Sequence, residues 1–180
     1  EDIASYFPHP RAHGPFYLAN GEELYVDETG EPAGFVFKTL SDPYVGRMSF
    51  IKVLSGYLEP GMELTNARSK KKERLSHLYV MMGKEPMDVK SAKAGDIIVV
   101  PKINETKTGD TLSLSGDIEV DPLPSPVPLY PIALEAENKK DEDKLGTFLS
   151  KQAEIDPTLR LVRDEETHQQ VVYTLSLIHI

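Results

Sequence analysis

The sequence predicts a mainly β protein in two parts, an antiparallel β-barrel followed by a partial α+β module. Three observations carry that expectation. Between residues 35 and 115, β-type runs recur at roughly ten-residue spacing, separated by Asp42-Pro43, Glu59-Pro60-Gly61, Ala94-Gly95-Asp96 and Thr108-Gly109-Asp110; turn residues at that interval favour a closed antiparallel barrel over a parallel sheet. Five prolines between Pro122 and Pro131 then break the pattern. Beyond them, a single helical period lies among three short strand-like runs.

Residues 1–34 hold four prolines and four glycines with no sustained period, which predicts a linker or extended arm with at most a short strand near Leu24-Tyr25-Val26. The Glu-Asp start is expected to lie inside a longer protein. In residues 35–120 the strand candidates are Gly34 to Leu40, Arg47 to Leu54, Met62 to Asn66, Leu75 to Met82, Asp96 to Val100 and Thr111 to Leu114. In the second of these, Ser49 and Lys52 break strict apolar alternation, which leaves a bulge or a strand covered on both faces. Residues 121–131 predict a stiff connector, because proline lacks the amide that a sheet ladder needs.

Residues 132–180 begin with the strand Ile132-Ala133-Leu134. A helix follows, opened by Asp141-Glu142-Asp143 and closed by Asp156-Pro157, with Leu145, Phe148, Leu149, Gln152 and Ala153 on one face. Strands at Leu159 to Val162 and Gln170 to Leu175 complete a β-α-β-β order, the front of a split βαβ, ferredoxin-like module without its second helix and fourth strand.

No run is long and apolar enough for a membrane span, and the N-terminus lacks the pattern of a secretory signal, so a cytoplasmic protein with no membrane partner is expected. The absence of cysteine excludes disulfides and thiolate metal sites. The net charge of -9 is uneven: residues 1–34 carry -6, residues 35–120 carry +2 and residues 121–180 carry -5. Within the basic middle segment the cations cluster at Arg68, Lys70, Lys71, Lys72 and Arg74. Such a run is either a solvated hairpin tip or a contact for a polyanion. No aromatic side chains interleave with it, so a nucleic-acid contact here would recognise phosphates and shape.

Asp42-Pro43-Tyr44-Val45-Gly46-Arg47, Lys71-Lys72-Glu73-Arg74, Ala94-Gly95-Asp96-Ile97 and Thr108-Gly109-Asp110-Thr111-Leu112 stand in the order found in the second domain of elongation factor G, and the chain resembles that family. Tyr6-Phe7-Pro8-His9-Pro10 resembles the segment leaving the family's GTP-binding domain. Asp141-Glu142-Asp143-Lys144-Leu145, Asp156-Pro157-Thr158 and Glu166-Thr167 resemble its third domain. The resemblance spans roughly residues 5–172 and implies a translation-factor β-barrel with a partial third domain. Two features depart from the family: His168 stands where glycine is usual, and residues 173–180 leave the pattern and are expected to be non-native.

The resemblance implies a ribosome-dependent GTPase that promotes tRNA and mRNA translocation, with GTP and magnesium on a GTP-binding domain outside this chain. The implied partners are small-subunit ribosomal RNA and that GTP-binding domain, with no role for DNA. Arg68, Lys70, Lys71, Lys72 and Arg74 are the RNA-contact candidates, and Pro126 and Pro128 the interdomain hinge candidates. A stand-alone RNA-binding barrel and a paralogue such as a ribosomal-protection protein are the alternatives.

No catalytic, cofactor or metal residues are assigned. Asp42, Asp96 and Asp110 lie beside glycine or proline and are expected to form turns, as are Gly46, Gly95 and Gly109. His9 and His13 sit four apart in an irregular arm, without a regular element to make them metal ligands. The chain has no Gly-x-x-x-x-Gly-Lys-Ser/Thr loop, so GTP hydrolysis by this chain alone is not expected.

Overall fold

The computed structural model describes residues 5–42, 45–167 and 169–179, so Pro43, Tyr44, His168 and the side chains of His13 and His179 lie outside the described residues. The chain divides into two units, Glu1–Pro122 and Leu123–Ile180.

The first unit is built on a long hairpin, β3 (Ala33–Asp42) with β4 (Gly46–Ser55), preceded by the two-residue strands β1 (Phe16–Tyr17) and β2 (Glu23–Leu24). Then come β5 (Tyr57–Leu58), β6 (Glu63–Asn66), β7 (Lys72–Arg74), β8 (Tyr79–Met82), β9 (Glu85–Asp88), β10 (Ala92–Lys93), β11 (Ile97–Pro101) and β12 (Thr111–Ser113). Eight of them form one antiparallel sheet in the order β7-β6-β12-β3-β4-β11-β8-β9. The sheet curls into the barrel around one apolar cluster, to which Val36, Ile51, Leu64, Ile98 and Leu112 contribute from strands. Leu75 and Leu78 reach the same cluster from the crossing before β8, so the expected strand Leu75 to Met82 begins only at Tyr79. Each fully buried aliphatic side chain contributes about 1.5–3 kcal/mol of transfer free energy.

The irregularity suspected in β4 resolves into two features. Ser49, Ile51 and Val53 alternate inward; one extra residue is Phe37 on β3, between the pairs Val36 with Ile51 and Lys38 with Phe50, and a second is Leu54 on β4 itself, between the pairs Gly34 with Val53 and Ala33 with Ser55. Phe37 then meets Phe50 edge to face, with centroids 6.3 Å apart. Farther along β4, Leu54 faces outward and is nevertheless fully buried, packed with Leu18, Val120, Phe16 and Leu24.

Residues 1–34, expected as a linker or extended arm with at most a short strand near Leu24, supply that second layer. Leu18 and Val26 are buried, and β1 and β2 close around a tight turn at Asn20-Gly21. The apolar residues of the arm are too few to show a period, yet they cover the outer face of a strand. Pro10 packs on Gly95, whose φ is +103°; a Cβ at that position would sit 2.9 Å from the proline ring.

The second unit contains β13 (Tyr130–Leu134), the helix α1 (Glu142–Ile155), β14 (Arg160–Arg163) and β15 (Gln170–Thr174). Its sheet order is β13-β15-β14, all antiparallel. The expected connector is shorter than the proline count implied, since Pro131 lies within β13 and faces Tyr173. β13 is an edge strand, where a missing amide is tolerated. In α1, Leu149 is buried whereas Phe148 is 57% exposed; one residue is a rotation of about 100°, enough to carry Phe148 off the narrow stripe that a three-stranded sheet covers. Tyr173 and Thr174, which the sequence places in the strand Gln170 to Leu175 although they leave the family pattern, are the last residues of β15 and pair with Pro131 and Tyr130.

Candidate nucleic-acid interface

The cationic run folds as the β6–β7 hairpin. Asn66 shapes its loop: its side-chain Oδ1 accepts from the amides of Arg68 and Ser69, both at 3.0 Å, and its carbonyl accepts from the Lys70 amide at 2.8 Å. Lys70 closes the turn with φ of 55°, a left-handed conformation that costs a lysine roughly 1 kcal/mol.

The five cations have different surroundings. Arg68 turns inward and grips Asp110 with two nitrogens, Nε to Oδ1 at 2.7 Å and Nη2 to Oδ2 at 2.8 Å. Asp110 is only 5% exposed at its side chain and also accepts from Asn66 Nδ2 and the Lys107 amide, each at 2.8 Å. Burial by itself raises the Asp110 pKa; the hydrogen bonds from Arg68, Asn66 and Lys107 outweigh it and hold the carboxyl below the usual aspartate range. The same contact raises the pKa of Arg68. Asp110 is thus a charge partner as well as a turn residue.

Lys71 donates to Glu105 Oε2 at 2.7 Å, and that hydrogen bond, with the lysine charge behind it, lowers the Glu105 pKa. Lys70 extends to the carbonyl of Gly116 at 3.0 Å. Lys72 and Arg74 point out of β7 on one face, and among the described residues neither has an ion-pair partner. Between them Glu73 points inward, and its Oε1 accepts from the Glu105 amide at 2.8 Å and the Thr106 hydroxyl at 3.3 Å. Arg47 reaches the same loop, donating to the carbonyls of Asn104, at 3.1 Å, and Thr106. Segment 104–110 is therefore held by β4, β7 and the hairpin loop together.

Asp96 forms a turn, accepting from the amide of Lys93 at 2.9 Å, and Asp42 accepts from the amide of Val45 at 2.8 Å, the two residues between them lying outside the described residues. Gly46, Gly95 and Gly109 all have positive φ. His9 Nδ1 accepts from the Arg11 amide at 3.2 Å, and among the described residues no three His, Asp or Glu side chains gather as metal ligands. Pro126 and Pro128 lie in an irregular stretch before β13. No described helix is long and apolar enough to cross a membrane.

Sequence reasoning missed Asn66, Glu73 and Glu105 as members of this cluster. Asparagine ahead of a polar loop was a usable turn signal; nothing local distinguishes Glu73 from an exposed acid.

Two family models match the chain: elongation factor G domain 2 over residues 31–115 and elongation factor G domain III over residues 125–180. A crystal structure of a protein from Thermus thermophilus is similar over 98% of this chain, with 32% sequence identity and a TM-score of 0.76. The present chain spans 25% of that chain's length.

Proposed function

The chain belongs to the elongation factor G family and carries its domain II and the start of its domain III, and on that premise we propose that it serves a ribosome-dependent GTPase in tRNA and mRNA translocation. These are translation elongation factor domains. The barrel docks on small-subunit ribosomal RNA through the β6–β7 hairpin. The second unit relays conformational change, with Pro126 and Pro128 limiting the freedom of the connector. GTP and magnesium belong to a GTP-binding domain of the whole protein, which is the second partner, and the site of action is the cytoplasm.

The observation that supports RNA contact best is the outward pair Lys72 and Arg74 on a hairpin whose loop is fastened by Asp110 and whose second strand is fastened by Glu73. Glu73 holds the β7 main chain, so a polyanion meets cations whose backbone needs no reordering on binding. Neutralising phosphates releases counterions, so affinity falls steeply with salt. Replacing Lys70, Lys71, Lys72 and Arg74 together by serine should flatten the salt dependence of binding to small ribosomal subunits. An unchanged slope overturns the assignment.

A further inference from the structure

The five cations do not form one patch. The geometry points to a row of Lys70, Lys72 and Arg74 as the phosphate-contacting set, with Glu73 as the residue that positions it; the inference rests on the RNA reading above. Lys72 stands opposite Thr65, and Arg74 opposite Glu63, on the outer face of the β6–β7 ladder. The Lys70 ammonium reaches Gly116, which lies against the Thr65 side chain, so it borders the same face.

Arg68 and Lys71 are neutralised internally by Asp110 and Glu105. A phosphate that captured either one would strand a carboxylate beside itself, so these two pairs add no net counterion release. Along a strand, residues two apart are separated by about 7 Å on one face. That spacing, between Lys72 and Arg74, suits successive phosphates of one RNA strand, with Lys70 bordering it from the turn.

Glu73 sits within the row in sequence and opposite to it in direction. Its burial looks costly for an acid flanked by Lys72 and Arg74, since it forms no ion pair with either among the described residues. What it holds is the Glu105 amide and the Thr106 hydroxyl. That tie fixes the inward side of β7 and, by the period of two, the outward direction of Lys72 and Arg74.

Salt titrations of full-chain variants on small ribosomal subunits test this. Lys70→Ser, Lys72→Ser and Arg74→Ser should each lower the slope of log K against log salt by roughly 0.7–0.9. The neutral double replacement Lys71→Ser with Glu105→Gln should leave it unchanged. Glu73→Ala should weaken binding roughly fivefold at every salt concentration with no change in slope, and Glu73→Gln, which keeps the acceptor oxygen, should restore the affinity. A slope lowered by the Lys71 and Glu105 pair as much as by Lys72→Ser overturns the row. Tighter binding by both Glu73 variants means the acid merely repels RNA, and overturns its positioning role. Wild-type binding without salt dependence removes the RNA reading itself.

Discussion

Asp110→Asn probes the fastening of segment 104–110 directly. The carboxylate accepts four hydrogen bonds at 2.7–2.8 Å, two from Arg68 and one each from Asn66 and Lys107. The amide keeps one acceptor oxygen and turns an NH₂ group toward donors, which leaves a guanidinium without its counter-charge. Hydrogen bonds to a charged group are worth about 1.5–3 kcal/mol each, but Arg68 is half exposed and its share is screened. The expected net loss is about 3 kcal/mol, or roughly 10 °C in Tm for a unit of this size.

Urea unfolding of the full chain, followed by tyrosine fluorescence, together with hydrogen exchange of peptides from residues 104–110, measures that loss. Acid adds a second arm. Because the native pKa of Asp110 is depressed, the unfolded chain binds more protons near pH 4, and the stabilisation present at neutral pH is lost as the pH falls below about 4. The gap between wild type and Asp110→Asn should therefore narrow on acidification. A gap under about 1 kcal/mol at neutral pH, or one that widens in acid, refutes the reasoning.

Gly95→Val should place a branched side chain against Pro10 at a positive φ. It should free the arm, seen as faster amide exchange at Arg11 and Ala12, and cost about 2 kcal/mol; unchanged exchange would show that the arm does not depend on that contact. Pro131→Val restores an amide on the edge strand β13 and should leave the second unit folded while raising concentration-dependent association in sedimentation. Loss of the β13–β15 pairing instead would mean that the proline is needed for the strand.

Much of the fold was legible because its determinants are local. Gly46, Gly95 and Gly109 mark turns, the acids at Glu142 and Asp143 open α1, and Asp156 closes it. The packing of the arm was not legible, because Phe16 and Leu18 are isolated apolar residues whose burial depends on the outer face of β4. Phe148 satisfied the helical period and still faces solvent, because the period specifies direction and says nothing about the width of the sheet beneath.

The candidate site divides along the same line. By itself, the sequence determined the barrel, the hairpin and the concentration of cations between Arg68 and Arg74, since period-two patterning and turn residues act within a few positions. Only the tertiary structure decided which cations stand free. Arg68 meets Asp110 across 42 positions, Lys71 meets Glu105 across 34, and Glu73 holds the Glu105 amide across 32. Those contacts exist because barrel closure brings segment 104–110 against the hairpin, and electrostatic pairing depends on distance through space, which no window along the chain contains.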